Sequence, residues 1–171
     1  MNIKELELEN FTKHQSTKLT FPSVGLVVVS GSNGSGKSSI AEGPCVAQWG
    51  EMLRGSSPWA GSGHVTLKSD VVEITRTRKG SRTSLEWNLP GAAPVTYETA
   101  SKAQEALEAV VGSFDLWRRS RVFSSQDAAH FTLATDGERK RLLEDFLGLG
   151  KFDTALYACK EDSKRAAQNE I

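Results

Sequence analysis

The protein has 171 residues, about the length of one domain and enough to bury a hydrophobic core without disulfides or metals. Hydrophobic residues make up 38% of the chain, which argues against wholesale disorder. The 21 Lys and Arg residues balance 21 Asp and Glu residues, so no overall charge attracts nucleic acid or anionic membrane, and such a partner would have to meet a local patch.

Apolar patterns predict strands within residues 3–29. Leu6 and Leu8 alternate with glutamates, which indicates a strand with one buried face. A second alternation ends before Pro22, and the aliphatic run Leu26–Val29 follows it. Because consecutive aliphatic residues are typical of a strand buried on both faces, we expect a central strand at this run.

Three short β patterns follow a helical stretch over residues 37–53, and turn residues separate them. They are centred on Val65/Leu67, Val72/Ile74 and Leu85/Trp87. Turns this short favour an antiparallel meander.

The C-terminal part of the chain is predicted to be helical. Ser101 and Gln104 have the spacing of a capping box at the start of one helix, and Thr135 and Glu138 repeat that spacing at the start of the next. A last helical pattern begins at Asp153 and reaches the final residue without a stop signal. We therefore expect this helix to continue in a longer protein.

Residues 31–38, with the sequence GSNGSGKS, match the pattern G-x-x-x-x-G-K-[ST]. Glycines let the backbone approach a phosphate closely, and backbone N–H groups and the N-terminus of a following helix favour an anion. Lys37 supplies a positive charge for the β- and γ-phosphates, and the Ser38 hydroxyl can bind Mg²⁺. A strand pattern before the motif and a helical pattern after it make a chance glycine-rich loop the weaker interpretation. The sequence predicts a nucleotide-phosphate site.

Gly43 and Pro44 are unfavourable residues inside the predicted helix. Pro44 has no N–H, and its ring clashes with the carbonyl of Ile40, at a cost of roughly 3 kcal/mol in a regular helix. We therefore expect a kink or a break, and an unbroken helix through residues 37–49 would contradict this.

Three blocks of the sequence resemble the SMC-like DNA-repair ATPases, the group that contains bacterial SbcC and its phage recombination-endonuclease counterparts. The first block, Ile3–Pro22, is similar to the family's two opening strands with their Asn-Phe pair. The second contains the phosphate-binding motif in the family's form G-x-N-G-x-G-K-S-S. The third, Arg121–Asp153, resembles the family's Q-loop, an E-R-x-x-x-L-E helix and a Gly-Leu segment that leads into a coiled coil.

The resemblance covers nearly the whole chain and implies an α/β fold. It is the P-loop NTPase fold of the ABC-ATPase head type, N-terminal lobe I, with an antiparallel β meander and the start of a coiled-coil helix. Residues 1–152 would form the lobe, and residues 153–171 would begin the coiled-coil arm.

The resemblance also assigns site residues for ATP and Mg²⁺. The triphosphate would be wrapped by Asn33, Gly34, Ser35, Gly36, Lys37, Ser38 and Ser39. Lys37 and Gln126 would be catalytic, and Ser38 and Gln126 would hold the metal, with Gln126 reaching the attacking water. Lys13 lies near the family's basic contact to the base or ribose, although a solvated lysine is the alternative for it.

The implied function is that of the ATP-binding half of an ATPase that gates a partner nuclease during DNA double-strand-break repair and recombination. An Asp-Glu Walker B strand, a signature loop and a switch histidine are missing from the sequence, and in the family they lie in a C-terminal lobe beyond the coiled coil. The expected partners are therefore that lobe, a second head in a homodimer, an SbcD-type nuclease and double-stranded DNA. We expect the isolated chain to bind ATP weakly and to hydrolyse it negligibly.

Two other functions remain open on this fold. One is an SMC-type chromosome organiser without a nuclease partner. The other is an ABC transporter ATPase, which is disfavoured because its Q-loop normally follows the P-loop more closely than Gln126 follows Lys37 here.

Two clusters of basic residues could bind DNA phosphates, although solvated positions are the alternative. One comprises Arg76, Arg78, Lys79 and Arg82, and the other Arg118, Arg119 and Arg121. The second cluster could equally contact the other lobe. The three histidines, His14, His64 and His130, lack metal-binding spacing, and we expect structural or exposed roles for them.

The sequence contains no pattern of a membrane or secreted protein. The run Leu26–Val29 is far shorter than the roughly 18 residues of a membrane span. The N-terminus lacks the basic and apolar regions of a signal peptide, and Cys45 and Cys159 are too far apart for a metal-binding pair. We expect a cytoplasmic protein of a bacterium or a phage-infected cell, with reduced thiols and no membrane partner.

Overall fold

The strands and helices come from a computed structural model, which describes residues 1–54, 57–93, 95–122, 135–147 and 149–169. The strands in these ranges are β1 (Ile3–Phe11), β2 (His14–Thr20), β3 (Trp59–Ser69), β4 (Glu73–Lys79) and β5 (Arg82–Asn88). The helices are α1 (Lys37–Trp49), α2 (Ala100–Val111), α3 (Phe114–Arg121), α4 (Asp136–Phe146) and α5 (Gly150–Asn169). The chain divides into two units, Met1–Phe114 and Asp115–Ile171.

The first unit is built on one antiparallel sheet with the strand order β2-β1-β3-β4-β5. The predicted meander is confirmed as β3–β4–β5. Alternation along β1 places Leu6 and Leu8 in the core and Glu5 on the opposite face. There the Glu5 carboxylate accepts bonds from Lys68 and Lys18, which lower the pKa of Glu5. The two faces therefore differ as the sequence pattern predicts.

Helices α1 and α2 contribute to the core on the apolar face of this sheet. The core residues are Leu6, Leu8, Phe11, Val46, Ala47, Val65, Leu67, Val72, Ile74, Leu85, Trp87, Ala103 and Leu107. Helix α2 begins earlier than predicted, because Thr99 is its N-cap and accepts a bond from the Lys102 amide. The capping role predicted for Ser101 and Gln104 is wrong, since Gln104 instead donates to the Gln48 carbonyl at 3.0 Å.

Helix α1 runs unbroken from Lys37 to Trp49, so the predicted break at Pro44 is wrong. All residues from Glu42 to Trp49 are buried, and each large apolar side chain buried in this way stabilises the fold by about 1.5–3 kcal/mol. Together, the free energy gained by burying these side chains exceeds the free-energy cost of one proline inside the helix. Gly43 lets α1 approach β1 closely, because a Cβ at this position would lie 2.9 Å from Leu8 Cδ2.

The run Leu26–Val29 is not a strand, contrary to the sequence prediction. No strand of the described residues pairs with it. Its side chains are exposed, with 88% of Leu26 and 77% of Val28 accessible to solvent. Pattern and composition favour a strand here, but a strand forms only beside a neighbour that completes its hydrogen bonds.

Arg76 is buried, so its predicted place in a solvated or DNA-binding cluster is wrong. Its Nε donates to the Ala47 carbonyl at 3.2 Å, and its Nη2 donates to Gln104 Oε1 at 2.6 Å and to the Gln48 carbonyl at 3.3 Å. Burial lowers the pKa of Arg76 to about 10, which still leaves the guanidinium charged at neutral pH. Arg76 therefore binds carbonyls in the last turn of α1, where a cation is favoured.

The second unit contains α4 and α5. The predicted capping box is confirmed at the start of α4, where the Thr135 amide donates to Glu138 Oε2 at 2.8 Å and the Glu138 amide donates to Thr135 Oγ1 at 3.4 Å. Along α5, Phe152, Leu156 and Tyr157 are exposed. Among the helices of the described residues, none is both long and apolar enough to cross a membrane.

Candidate nucleotide-binding site

The phosphate-binding motif forms the loop that leads into α1. Gly34 and Gly36 have φ angles of 81° and 92°, a left-handed conformation that glycine adopts without strain. Gly36 is the N-cap of α1, no side chain caps the helix, and its first turn contains no acidic residue. The positive end of the helix and the N–H groups of Lys37 and Ser38 thus face the end at which an anion would bind, whereas the Ser39 amide already donates to the Gly36 carbonyl at 2.9 Å.

The side chain of Lys37 folds back over this loop. Its Nζ donates to the carbonyls of Gly31 at 2.8 Å and Ser32 at 2.6 Å. These contacts bind the ammonium group to the start of the loop. The positive charge of Lys37 therefore lies on the same loop as the amides of residues 33–38, and an ammonium group and backbone amides are the kinds of donor that bind the phosphates of a nucleotide.

The hairpin of β1 and β2 contacts the loop through His14. Its Nε2 lies 3.1 Å from the Gly36 carbonyl oxygen, and its Nδ1 lies 2.9 Å from Thr17 Oγ1. A Cβ on Gly36 would lie 2.8 Å from His14 Nε2, so a side chain there would have to displace the imidazole ring and would also be strained by the left-handed φ of 92°. Sequence reasoning missed the contact, because no local pattern shows that the start of β2 reaches the loop.

Strained backbone shapes the tip of this hairpin. Asn10 and Thr12 have φ angles of 48° and 51°, which are rare for residues other than glycine, above all for β-branched Thr12. The Thr12 amide donates to the Pro58 carbonyl at 2.9 Å, and Trp59 packs edge-on against the buried Phe11 with ring centroids 5.7 Å apart. These contacts hold the tip in place beside the loop.

Of the remaining predicted site residues, some lie in the part of the chain that the structure describes and some lie outside it. Ser38 is exposed and Ser39 partly buried in the first turn of α1, and both stay predicted ligands. Lys13 lies exposed in the two-residue turn beside His14, so its predicted contact to a nucleotide also stays a prediction. Gln126 lies outside the described residues, as does His130.

The other members of the two predicted basic clusters lie in a turn of the meander and on α3. Arg82 and Lys79 are exposed at the β4–β5 turn, and Arg78 donates to the Gly80 carbonyl at 2.9 Å in the same turn. The second cluster lies on α3. His64 lies on β3, with its Nδ1 3.5 Å from a carboxylate oxygen of Glu9.

Comparisons with known proteins show which proteins this chain is similar to in sequence. The model of the AAA domain family matches residues 5–127, more than half of the chain. The DNA double-strand break repair Rad50 ATPase of Methanococcus maripaludis is 24% identical over 166 residues, which cover 91% of this chain and 16% of that protein. The corresponding Rad50 ATPase of Archaeoglobus fulgidus is 44% identical over 88 residues, 46% of this chain and 10% of that protein.

A solved structure supports the fold independently. It comes from work on ATP-driven dimerization and DNA-stimulated activation of SMC ATPases, and it superposes with a TM-score of 0.58 at 23% identity over 85% of this chain and 99% of that chain. The present chain spans less than a fifth of the length of the two Rad50 relatives. The chain thus belongs to the AAA domain family, and its fold is similar to that of the SMC ATPase structure.

Proposed function

We propose that this chain is the ATP-binding half of a DNA-repair ATPase and that ATP binds to the loop of residues 31–39. The observation that carries the proposal is the loop itself, in which the Lys37 ammonium group binds the Gly31 and Ser32 carbonyls and the backbone leads to a helix N-terminus without a side-chain cap. This arrangement concentrates positive charge and N–H donors, and the first turn of α1 contains no acidic residue. The Rad50 relatives, whose names describe double-strand break repair, support the DNA-repair assignment.

The chain's own residues would bind and orient the triphosphate. Lys37 would exchange its bonds to the loop carbonyls for bonds to the β- and γ-phosphates, and the amides after Gly34 would point at the same oxygens. The exposed hydroxyl of Ser38 fits one ligand position of Mg²⁺, which would neutralise phosphate charge when bound. Gln126 is proposed to orient the attacking water.

The exposed run Leu26–Val29 supports the need for a second lobe. An apolar segment with unpaired backbone is a template for strand addition. The C-terminal lobe that the family resemblance implies is the proposed source of the missing strand, and the two Rad50 relatives are long enough to contain such a lobe. Adding that strand would bury Leu26 and Val28 and fix the backbone directly before the phosphate-binding loop, which explains why isolated residues 1–171 would be a poor enzyme.

The second unit supports the proposed arm. Phe152, Leu156 and Cys159 are exposed on α5 with the spacing i, i+4, i+7, the pattern of a helix face that packs against another helix. We therefore propose that the coiled coil begins within α5, at residue 153, directly after Phe152. The homodimer of heads, the SbcD-type nuclease and double-stranded DNA complete the proposed assembly, in which ATP binding would close the heads and hydrolysis would reopen them.

The substitution Val28→Glu tests the proposed lobe interface. Because Val28 is exposed in this chain, we expect its free energy of unfolding to change by less than about 0.5 kcal/mol. Association with the separately produced C-terminal lobe should weaken at least tenfold, since an unpaired carboxylate would be buried. Isothermal titration of the two lobes measures this.

The matched control for this test is Val95→Glu, at an exposed valine distant in sequence from the loop. The control should bind the C-terminal lobe as the unsubstituted chain does. If Val28→Glu and Val95→Glu bind equally well, the run Leu26–Val29 is not the lobe interface.

A further inference from the structure

The histidine at the start of β2 makes the only contact from this hairpin to the phosphate-binding loop among the side-chain hydrogen bonds of the described residues. We propose that His14 is a positioning residue for that loop, and this rests on the proposed ATP site. It would act through the Gly36 peptide, without touching the nucleotide.

The geometry of one peptide bond carries the argument. The Gly36 carbonyl and the Lys37 N–H belong to the same planar trans peptide, in which the two groups point in opposite directions. A bond that draws the Gly36 oxygen toward His14 therefore directs the Lys37 N–H away from β2. That N–H is the first of α1 and belongs to the donors that would face a phosphate.

The ring is fixed at both nitrogens. A carbonyl oxygen only accepts, so His14 Nε2 carries the proton and donates to Gly36 at 3.1 Å. In the neutral ring Nδ1 then accepts from the Thr17 hydroxyl at 2.9 Å. The hydrogen bond from His14 to the Gly36 carbonyl polarises the peptide between Gly36 and Lys37. The Lys37 N–H therefore becomes a stronger donor, because hydrogen bonds in a chain strengthen one another.

The same carbonyl also begins the helix. It accepts from the Ser39 amide at 2.9 Å and from the Ile40 amide at 3.3 Å. Gly36 holds a left-handed φ of 92°, and the His14 ring occupies the space that a side chain there would need. Thus His14 ties the sheet to the residue at which loop and helix meet, and the loop keeps one conformation before any phosphate arrives.

Two substitutions at this position test the proposal. In His14→Leu the donor is lost, and we expect the affinity of the protein for ATP with Mg²⁺ to fall about tenfold in a fluorescence titration. In His14→Gln the side-chain amide can place an N–H near the position of Nε2, so affinity should stay within about threefold of the unsubstituted protein. Thermal unfolding should be alike for the two variants, which separates loop positioning from general stability.

A spectroscopic measurement tests the hydrogen bond from His14 to Gly36 without nucleotide. Long-range ¹H–¹⁵N spectra of the neutral His14 ring should show the proton on Nε2. A proton on Nδ1, or unchanged ATP affinity in His14→Leu, would overturn the positioning role.

The variant Lys37→Ala, measured in the same titration, tests the proposed ATP site separately from the proposed role of His14. If Lys37→Ala binds ATP as well as the unsubstituted protein does, the ATP site is wrong. The spectrum then still tests the bond from His14 to Gly36, because a proton on Nδ1 would exclude it.

Discussion

Replacing Lys37 by alanine is expected to weaken ATP binding about 100-fold. Lys37 would contact two phosphates, and each charge-assisted bond contributes about 1.5 kcal/mol, so that the sum of about 3 kcal/mol corresponds to two factors of ten in affinity. The fold should tolerate the change, because the present partners of Nζ are two carbonyls in the exposed loop. Titration with ATP and Mg²⁺ measures the loss.

The control for this prediction is Lys68→Ala. Lys68 binds Glu5 on the face of the sheet opposite the core, and removing it also deletes one positive charge. Equal losses of ATP affinity in the two variants would mean that overall charge, and not the loop, attracts the nucleotide.

Replacing Arg76 by leucine is expected to lower the free energy of unfolding by about 3 kcal/mol. The change removes three hydrogen bonds and leaves the Ala47 carbonyl and Gln104 Oε1 without this donor, at about 1–3 kcal/mol for each buried group left unpaired. A loss of this size is a large share of the 5–15 kcal/mol typical of a domain. Urea unfolding measures it.

Arg82→Leu is the matched control in the same meander. Arg82 is exposed at the start of β5, and its replacement should change stability by less than about 0.5 kcal/mol. If Arg76→Leu were equally mild, Arg76 would not link α1 to α2 in the way its bonds indicate.

Much of the first unit could be predicted because its signals are local. Alternation fixes which face of β1 is buried, and the short turns fix the antiparallel meander. Arg76 could have been predicted to point inward by the same rule, since it lies two residues after buried Ile74 on the same strand. Its charge suggested a surface position instead.

The failures at Pro44 and at Leu26–Val29 have a common physical cause. Both predictions used local preference where the outcome depends on distant partners. Burial against the sheet keeps α1 helical through Pro44, and because no strand of the described residues pairs with Leu26–Val29, this run stays irregular and exposed. The His14 contact to Gly36 joins residues 22 positions apart and has no local pattern at all.

The rate of ATP hydrolysis by this chain, with and without the proposed C-terminal lobe, tests the central claim most directly. The chain alone and the lobe alone should show no sustained turnover, and their mixture should hydrolyse ATP in the presence of Mg²⁺. Loss of that activity in Lys37→Ala would assign it to the loop of residues 31–39. Sustained hydrolysis by the chain alone would contradict the proposal that it is one half of a divided ATPase.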